Sequence, residues 1–158
     1  MDTGTVMQLL KDQPFVKGMP TGNLEQLGAL ARQVRIARDE VLFGEGAESA
    51  DFYLILDGMV ALEIAPPSGV FRLDTLGSGD ELGWSSVMGG KTVFQARVLS
   101  DMRALVFDAA QLRALCEKDT AFGYEFMRRL LAVVADRLQV TRLHLMDSYW
   151  PQAKLAGA

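Results

Sequence analysis

Between Arg38 and Phe107 the apolar residues change from a spacing of three and four to a spacing of two, with Gly, Pro and Asp punctuating them at short intervals. A segment with that rhythm cannot bury one face as a helix, so it has to form short antiparallel strands joined by tight turns. Val41-Leu42-Phe43 predicts a short strand stopped by Gly44-Glu45-Gly46. Residues 52–56 predict another, and Asp57-Gly58 suits a two-residue hairpin turn, whose central positions both need positive φ. Residues 59–64 return as its partner, Pro66-Pro67-Ser68-Gly69 ends the pair, and 70–76, 93–99 and 103–107 complete the sheet. Roughly eight short strands with a helix on either side predict a mainly β fold with flanking helices, a jelly-roll β-sandwich over 38–108.

The flanks read as helix. From 6 to 36 the pattern is helical in pieces, broken by Pro14, Gly18, Pro20 and Gly22. Asn23 is the expected cap of the second piece, whose Leu24, Leu27, Leu30 and Ala31 form one apolar stripe. From 109 to 148 the pattern is helical again, with a break where Asp119 or Thr120 caps a long terminal helix, and 149–158 reads as a tail. On a helical wheel the apolar residues from Phe126 to Leu145 occupy an arc of about 180°, whereas one buried face needs only about 100°. The surplus predicts that this helix meets the β-roll on one side and a second copy of itself on the other, through Phe126, Leu130, Val133, Arg137, Val140 and His144. The competing reading covers the whole arc within its own domain. With 158 residues, 49% of them hydrophobic, the chain is expected to form one domain.

The candidate site is the run from Gly77 to Asp101. Glycines at 77, 79 and 83 allow a turn that approaches a bound group closely, and Gly89-Gly90 opens a second bend. Two bends flanking a short segment make a cradle, whose candidate residues are Gly79, Glu81, Leu82, Gly83, Trp84, Ser85, Lys91, Thr92 and Val93. The layout resembles the phosphate-binding cassette of the cyclic-nucleotide-binding domain family, the sensor half of bacterial Crp/Fnr-type regulators, where Gly-Asp-x-x-Gly-Glu-Leu-Ala precedes Arg-Ser-Ala-x-Val-x-Ala. Phe43-Gly-Glu-Gly-Ala-Glu-Ser-Ala-Asp-Phe-Tyr-Leu-Ile-Leu-Asp-Gly-Met-Val is likewise similar to the family's Phe-x-Glu-Gly, short loop, and Phe-Tyr-Leu-Ile-x-x-Gly-x-Val. The resemblance covers 14–149. It implies a regulatory, non-enzymatic sensor fold, a cyclic nucleotide as ligand, a hinge helix over 109–116, and the long terminal helix as a dimer seam.

Laid on that pattern, Trp84 stands where the ribose-binding glutamate belongs, and Thr92-Val93 where the phosphate-binding Arg-Ser pair belongs. Arginine's planar fork makes two parallel charge-assisted bonds to a phosphate, and hydrogen bonds to charged groups are worth about 1.5–3 kcal/mol each. Loss of both anchors argues against cyclic AMP or cyclic GMP held in the usual way. Lys91 and Glu81 are the conceivable substitutes. Trp84 either fills the vacated pocket, leaving a ligand-free interaction scaffold with a protein partner, or stacks on a flat ligand.

The remaining composition narrows the function. A net charge of −4 and a pI near 5.0 provide no field for nucleic acid. A helix-turn-helix half would need roughly 60 to 70 further residues, so DNA binding by this chain alone is not expected. The lone cysteine, Cys116, and the absence of a long apolar run predict a cytoplasmic protein with no membrane span. One histidine, His144, cannot build a multi-histidine metal site or a His-based catalytic set, so no metal, no catalytic residue and no enzymatic activity are expected. Arg128-Arg129 reads as a solvated basic step.

Overall fold

The structure is a computed structural model that describes the backbone of residues 3–156 and the side chains of residues 4–148. Helices α1 (Thr3–Lys11) and α2 (Thr21–Leu30) flank a 3₁₀ turn at Pro14–Val16 and lead into six strands. The strands are β1 (Arg32–Ile36), β2 (Val41–Phe43), β3 (Asp51–Ile64), β4 (Phe71–Leu76), β5 (Glu81–Leu82) and β6 (Gln95–Asp108). A short helix, α3 (Trp84–Met88), interrupts them, and α4 (Ala109–Lys118) and α5 (Thr120–Ala156) follow. All pairings are antiparallel, in the order β1-β6-β3-β4, with β2 also on β6 and β5 on β3.

The β-roll with flanking helices agrees with expectation, but four details differ. Residues 32–36, expected as helix, are β1. They pair with β6 from Arg32↔Val106 to Ile36↔Met102, which turns Val34 and Ile36 onto the roll interior. The second helix starts at Thr21 behind Pro20, so Asn23 lies inside its first turn and caps nothing. Asp57-Gly58 is no hairpin turn. It is a bulge inside β3, where the register against β6 shifts between Asp57↔Arg103 and Met59↔Ser100. Gly58 has the positive φ that a turn needs (+99°), and a Cβ there would stand 2.7 Å from Met102 Cα. Residues 95–108 likewise form a single strand, so two 14-residue strands replace four short ones. Finally, α5 continues helically through 149–156, where a tail was expected; residues 157 and 158 lie outside the described residues.

Alternation along β3 builds two cores. Phe52 and Leu54 face the helices, packing with Leu105, Phe107, Phe15, Phe122, Phe126 and Leu130. Tyr53 and Ile55 face the roll interior with Val60, Leu62, Leu82, Val98 and Ala104. Ring centroids in the outer core stand 5.4 Å apart for Phe15 and Phe52, and 5.8 Å apart for Phe52 and Phe126. That cluster clamps the first turns of α5 to the sheet. Asp119 fixes where the helix starts, its Oδ1 accepting from the Phe122 amide at 3.1 Å while Oδ2 accepts from Gln26 Nε2 at 2.9 Å.

Candidate functional site

The cassette begins where β5 leaves β3. Gly83 turns the chain with φ +89°, and a Cβ on it would lie 2.5 Å from Asp51 O, so only glycine fits. Immediately afterwards α3 starts with Trp84. Its Ser86 hydroxyl donates to Asp51 O at 2.9 Å, and Gly89 ends it in a left-handed conformation, with the Gly90 amide returning to Ser85 O at 3.1 Å. Arg113 Nη1 of α4 donates to Ser86 O at 2.6 Å, so the cassette helix is tied directly to the helix behind the sheet.

Between this cassette, β4 and α5 lies a cavity of about 300 Å³, bordered by Trp84, Val93, Phe94, Leu73, Arg137 and Leu138. Trp84 is partly buried against the outer core and lines the open space without occupying it. The expected cradle was bounded by Glu81, Trp84, Lys91 and Thr92, and only Trp84 of these borders the cavity. Glu81 faces a separate groove with Arg128, Arg129 and Asp136. Burial pushes its carboxyl above the usual carboxylate range, against the pull of the Arg137 guanidinium. Lys91 is exposed and bridges Glu48 through the backbone. Thr92 is 3% exposed, and its hydroxyl bonds Gly44 O at 2.5 Å and the Ala47 amide at 3.1 Å, which pins the Gly44–Ala47 loop. Leu82 is a core residue, Gly79 lies by Pro14 on another face, and Ser85 contributes its carbonyl to the α3 terminus. Val93 is the second cassette candidate on the cavity.

The residues expected at a dimer seam are placed differently. Phe126 and Leu130 are buried in the chain's own core at 0% and 2% exposure, leaving no side-chain surface for a partner. Val133 packs against the same core, and Arg137 and Val140 face the cavity, whereas His144 is exposed. A helix clamped by Phe122 and Phe126 must present that side to the roll. The face left over carries Tyr124, Leu131, Leu138 and Leu145, which are 71%, 69%, 68% and 57% exposed and stand seven residues apart.

Sequence reasoning placed Arg137 on the dimer seam and missed it as a cavity residue. Its Nη2 donates to Glu81 O at 2.6 Å, while Nη1 stands 4.0 Å from Asp74 Oδ2. Nε and Nη1 are both buried and without a hydrogen-bond acceptor. A buried donor left unpaired costs about 1–3 kcal/mol. An arginine on an apolar arc was the available signal, since a cation there needs a reason.

The family model for the cyclic nucleotide-binding domain matches residues 33–119, more than half of the chain. The chain belongs to the cyclic nucleotide-binding domain family. No curated protein matches it. Among solved structures it is similar to a cyclic nucleotide-binding domain from Methylobacillus flagellatus, with TM-score 0.76 and 18% identity over 95% of this chain and 83% of that one. A candidate cyclic nucleotide-binding protein of Geobacter metallireducens gives TM-score 0.73 and 20% identity, over 87% of this chain and 98% of that one. The catabolite activator protein of Thermus thermophilus gives 0.70 and 21%, over 87% and 64%. At these identities the likeness concerns the fold. No helix among the described residues is long and apolar enough to cross a membrane, and no cluster of candidate metal ligands occurs among them.

Proposed function

We propose that the chain is a non-enzymatic, cytoplasmic sensor domain of the cyclic nucleotide-binding family, working as a homodimer, whose ligand is not cyclic AMP or cyclic GMP. The carrying observation is a cavity kept open between cassette and α5 whose cassette wall is Trp84, Val93 and Phe94, with no charged group. A cyclic phosphate placed against that wall would be desolvated without a charge-assisted partner. Both substitutes are directed elsewhere, Lys91 to the surface and Glu81 to another groove. Calorimetric titration with cyclic AMP and cyclic GMP into the high micromolar range is expected to show no binding heat. A saturable isotherm at low micromolar ligand would refute the reading.

Two observations support response to a ligand over a ligand-free scaffold plugged by Trp84. The space beside the indole is large enough for a small molecule, since ligand sites start near about 300 Å³. The Arg113–Ser86 bond and the shared wall of α5 give a bound group a mechanical route from the cassette to both terminal helices. Self-association is supported by the seven-residue recurrence of exposed Tyr124, Leu131, Leu138 and Leu145, the period that aligns two helices along a seam. The acidic charge supports protein or small-molecule partners over DNA for this chain. His144, the only histidine, is not among the cavity residues, which supports a binding role over a catalytic one.

A further inference from the structure

We infer that the cavity takes a small amphipathic monoanion, an aromatic or aliphatic carboxylic acid, whose acid group pairs with Arg137 of α5 and whose apolar body lies against Trp84. The inference rests on the sensor reading above and names its ligand class. Three observations converge on it. The walls are apolar, with Trp84, Phe94, Leu73 and Leu138 around the space, and this suits a hydrocarbon or ring in place of a ribose. Arg137 carries the only positive charge among the described residues lining the cavity, and its side chain is 17% exposed. That guanidinium makes a single hydrogen bond, to a main-chain carbonyl, and its Nε and Nη1 have no acceptor.

Asp74 does not satisfy Arg137. Its nearer oxygen is 4.0 Å away, too long for a hydrogen bond, and its carboxylate accepts from the Thr75 amide at 2.8 Å. Nε and Nη1 are both buried, so an acceptor in the cavity meets them only when the guanidinium turns toward it. A carboxylate supplies two oxygens in the plane that arginine's fork requires. Charge limits the ligand further. Arg137 is the one cation among the described lining residues and Asp74 already stands against it, so a monoanion meets one repelling carboxylate and a dianion meets twice that repulsion. The anchor thus stands on α5, across the cavity from the cassette.

Titrating the full-length protein with 1-naphthoate and with its neutral counterpart 1-naphthalenemethanol tests the assignment. The acid is expected to bind at least about tenfold more tightly than the alcohol, the discrimination of a charge-assisted pair. Arg137→Gln is expected to abolish that preference, and Arg137→Lys to retain part of it if the glutamine variant does not fold. Asp74→Asn, at a side chain 34% exposed, removes the competing charge and is expected to tighten the acid about threefold or more while leaving the alcohol unchanged. Trp84→Ala should weaken both compounds alike. Equal affinity for acid and alcohol, or acid binding indifferent to both Arg137 and Asp74, overturns the proposal. Cyclic AMP as a third titrant separates the two levels. Low-micromolar binding of the nucleotide refutes the proposed sensor reading and the acid with it, whereas failure of the acid with the nucleotide also silent refutes the acid alone and leaves the sensor reading standing.

Discussion

At Gly83 the chain leaves β5 with a left-handed backbone, and the carbonyl of Asp51 occupies the place a side chain would take. Because the obstruction is backbone, it cannot swing aside. Gly83→Ala adds the left-handed penalty to that collision, and a loss of about 2–4 kcal/mol is expected, read as a lower urea midpoint. An unchanged midpoint would mean that the turn relaxes and that the cassette geometry is less constrained than its contacts indicate. Gly58 is the parallel case, and it shows how residue chemistry underdetermines structure. Positive φ at Gly58 was legible in Asp57-Gly58, but a hairpin turn and a strand bulge both use it at that position. Only the continuous pairing of both halves of β3 with β6 separates them.

Helix α5 shows the same division at the scale of an element. Its arc of apolar residues was legible, yet which sector meets the roll depends on the Phe15, Phe52, Phe122 and Phe126 cluster, because those rings fix the rotation of the helix about its axis. Once fixed, Phe126 and Leu130 turn inward, and the exposed apolar row is Tyr124, Leu131, Leu138 and Leu145, the seam of the proposed homodimer. Leu131 lies outside the monomer core and away from the cavity lining, so its replacement tests association alone. Leu131→Glu is expected to convert a dimer to a monomer in light scattering with the circular dichroism spectrum unchanged, since two buried carboxylates would face each other across the seam. A wild-type protein that is monomeric at tens of micromolar would remove the seam.

For the whole molecule, acid stability follows from how its carboxylates are held. Arg97 donates to Glu63 through Nε at 3.0 Å and Nη2 at 2.9 Å, and Gln95 adds a bond at 3.1 Å. The Arg97 bonds, helped by Gln95, hold the Glu63 carboxyl below its ordinary value of 4.5 despite its burial. A carboxyl lowered on folding contributes stability above its unfolded pKa and loses it as the pH falls through the folded one. Asp119, bonded by Gln26, and Glu125, bonded by Arg128, have the same sign. Stability is therefore expected to fall from about pH 4.5 downward, and Glu63→Gln to lower the urea midpoint at neutral pH while narrowing its gap to wild type by about pH 3. A gap constant across that range would show that the Arg97 pair contributes nothing to the titration. The same scale decides the site. Trp84 and Val93 were legible as cassette residues, but Arg137, over forty positions further on, reaches the cavity only because α5 folds back across the roll.

The alternation of apolar residues determined a β-roll, and the glycines at 83 and 89 determined a bounded cassette. These are local properties, set by backbone conformation and by which side chains stand within a few positions of each other. Tertiary structure decided the bulge at Gly58, the strand at 32–36, the rotation of α5 and the placing of Trp84 and an under-satisfied arginine on one cavity. Each of these depends on contacts between distant segments, whose packing and unmet hydrogen bonds have no signature in a local pattern.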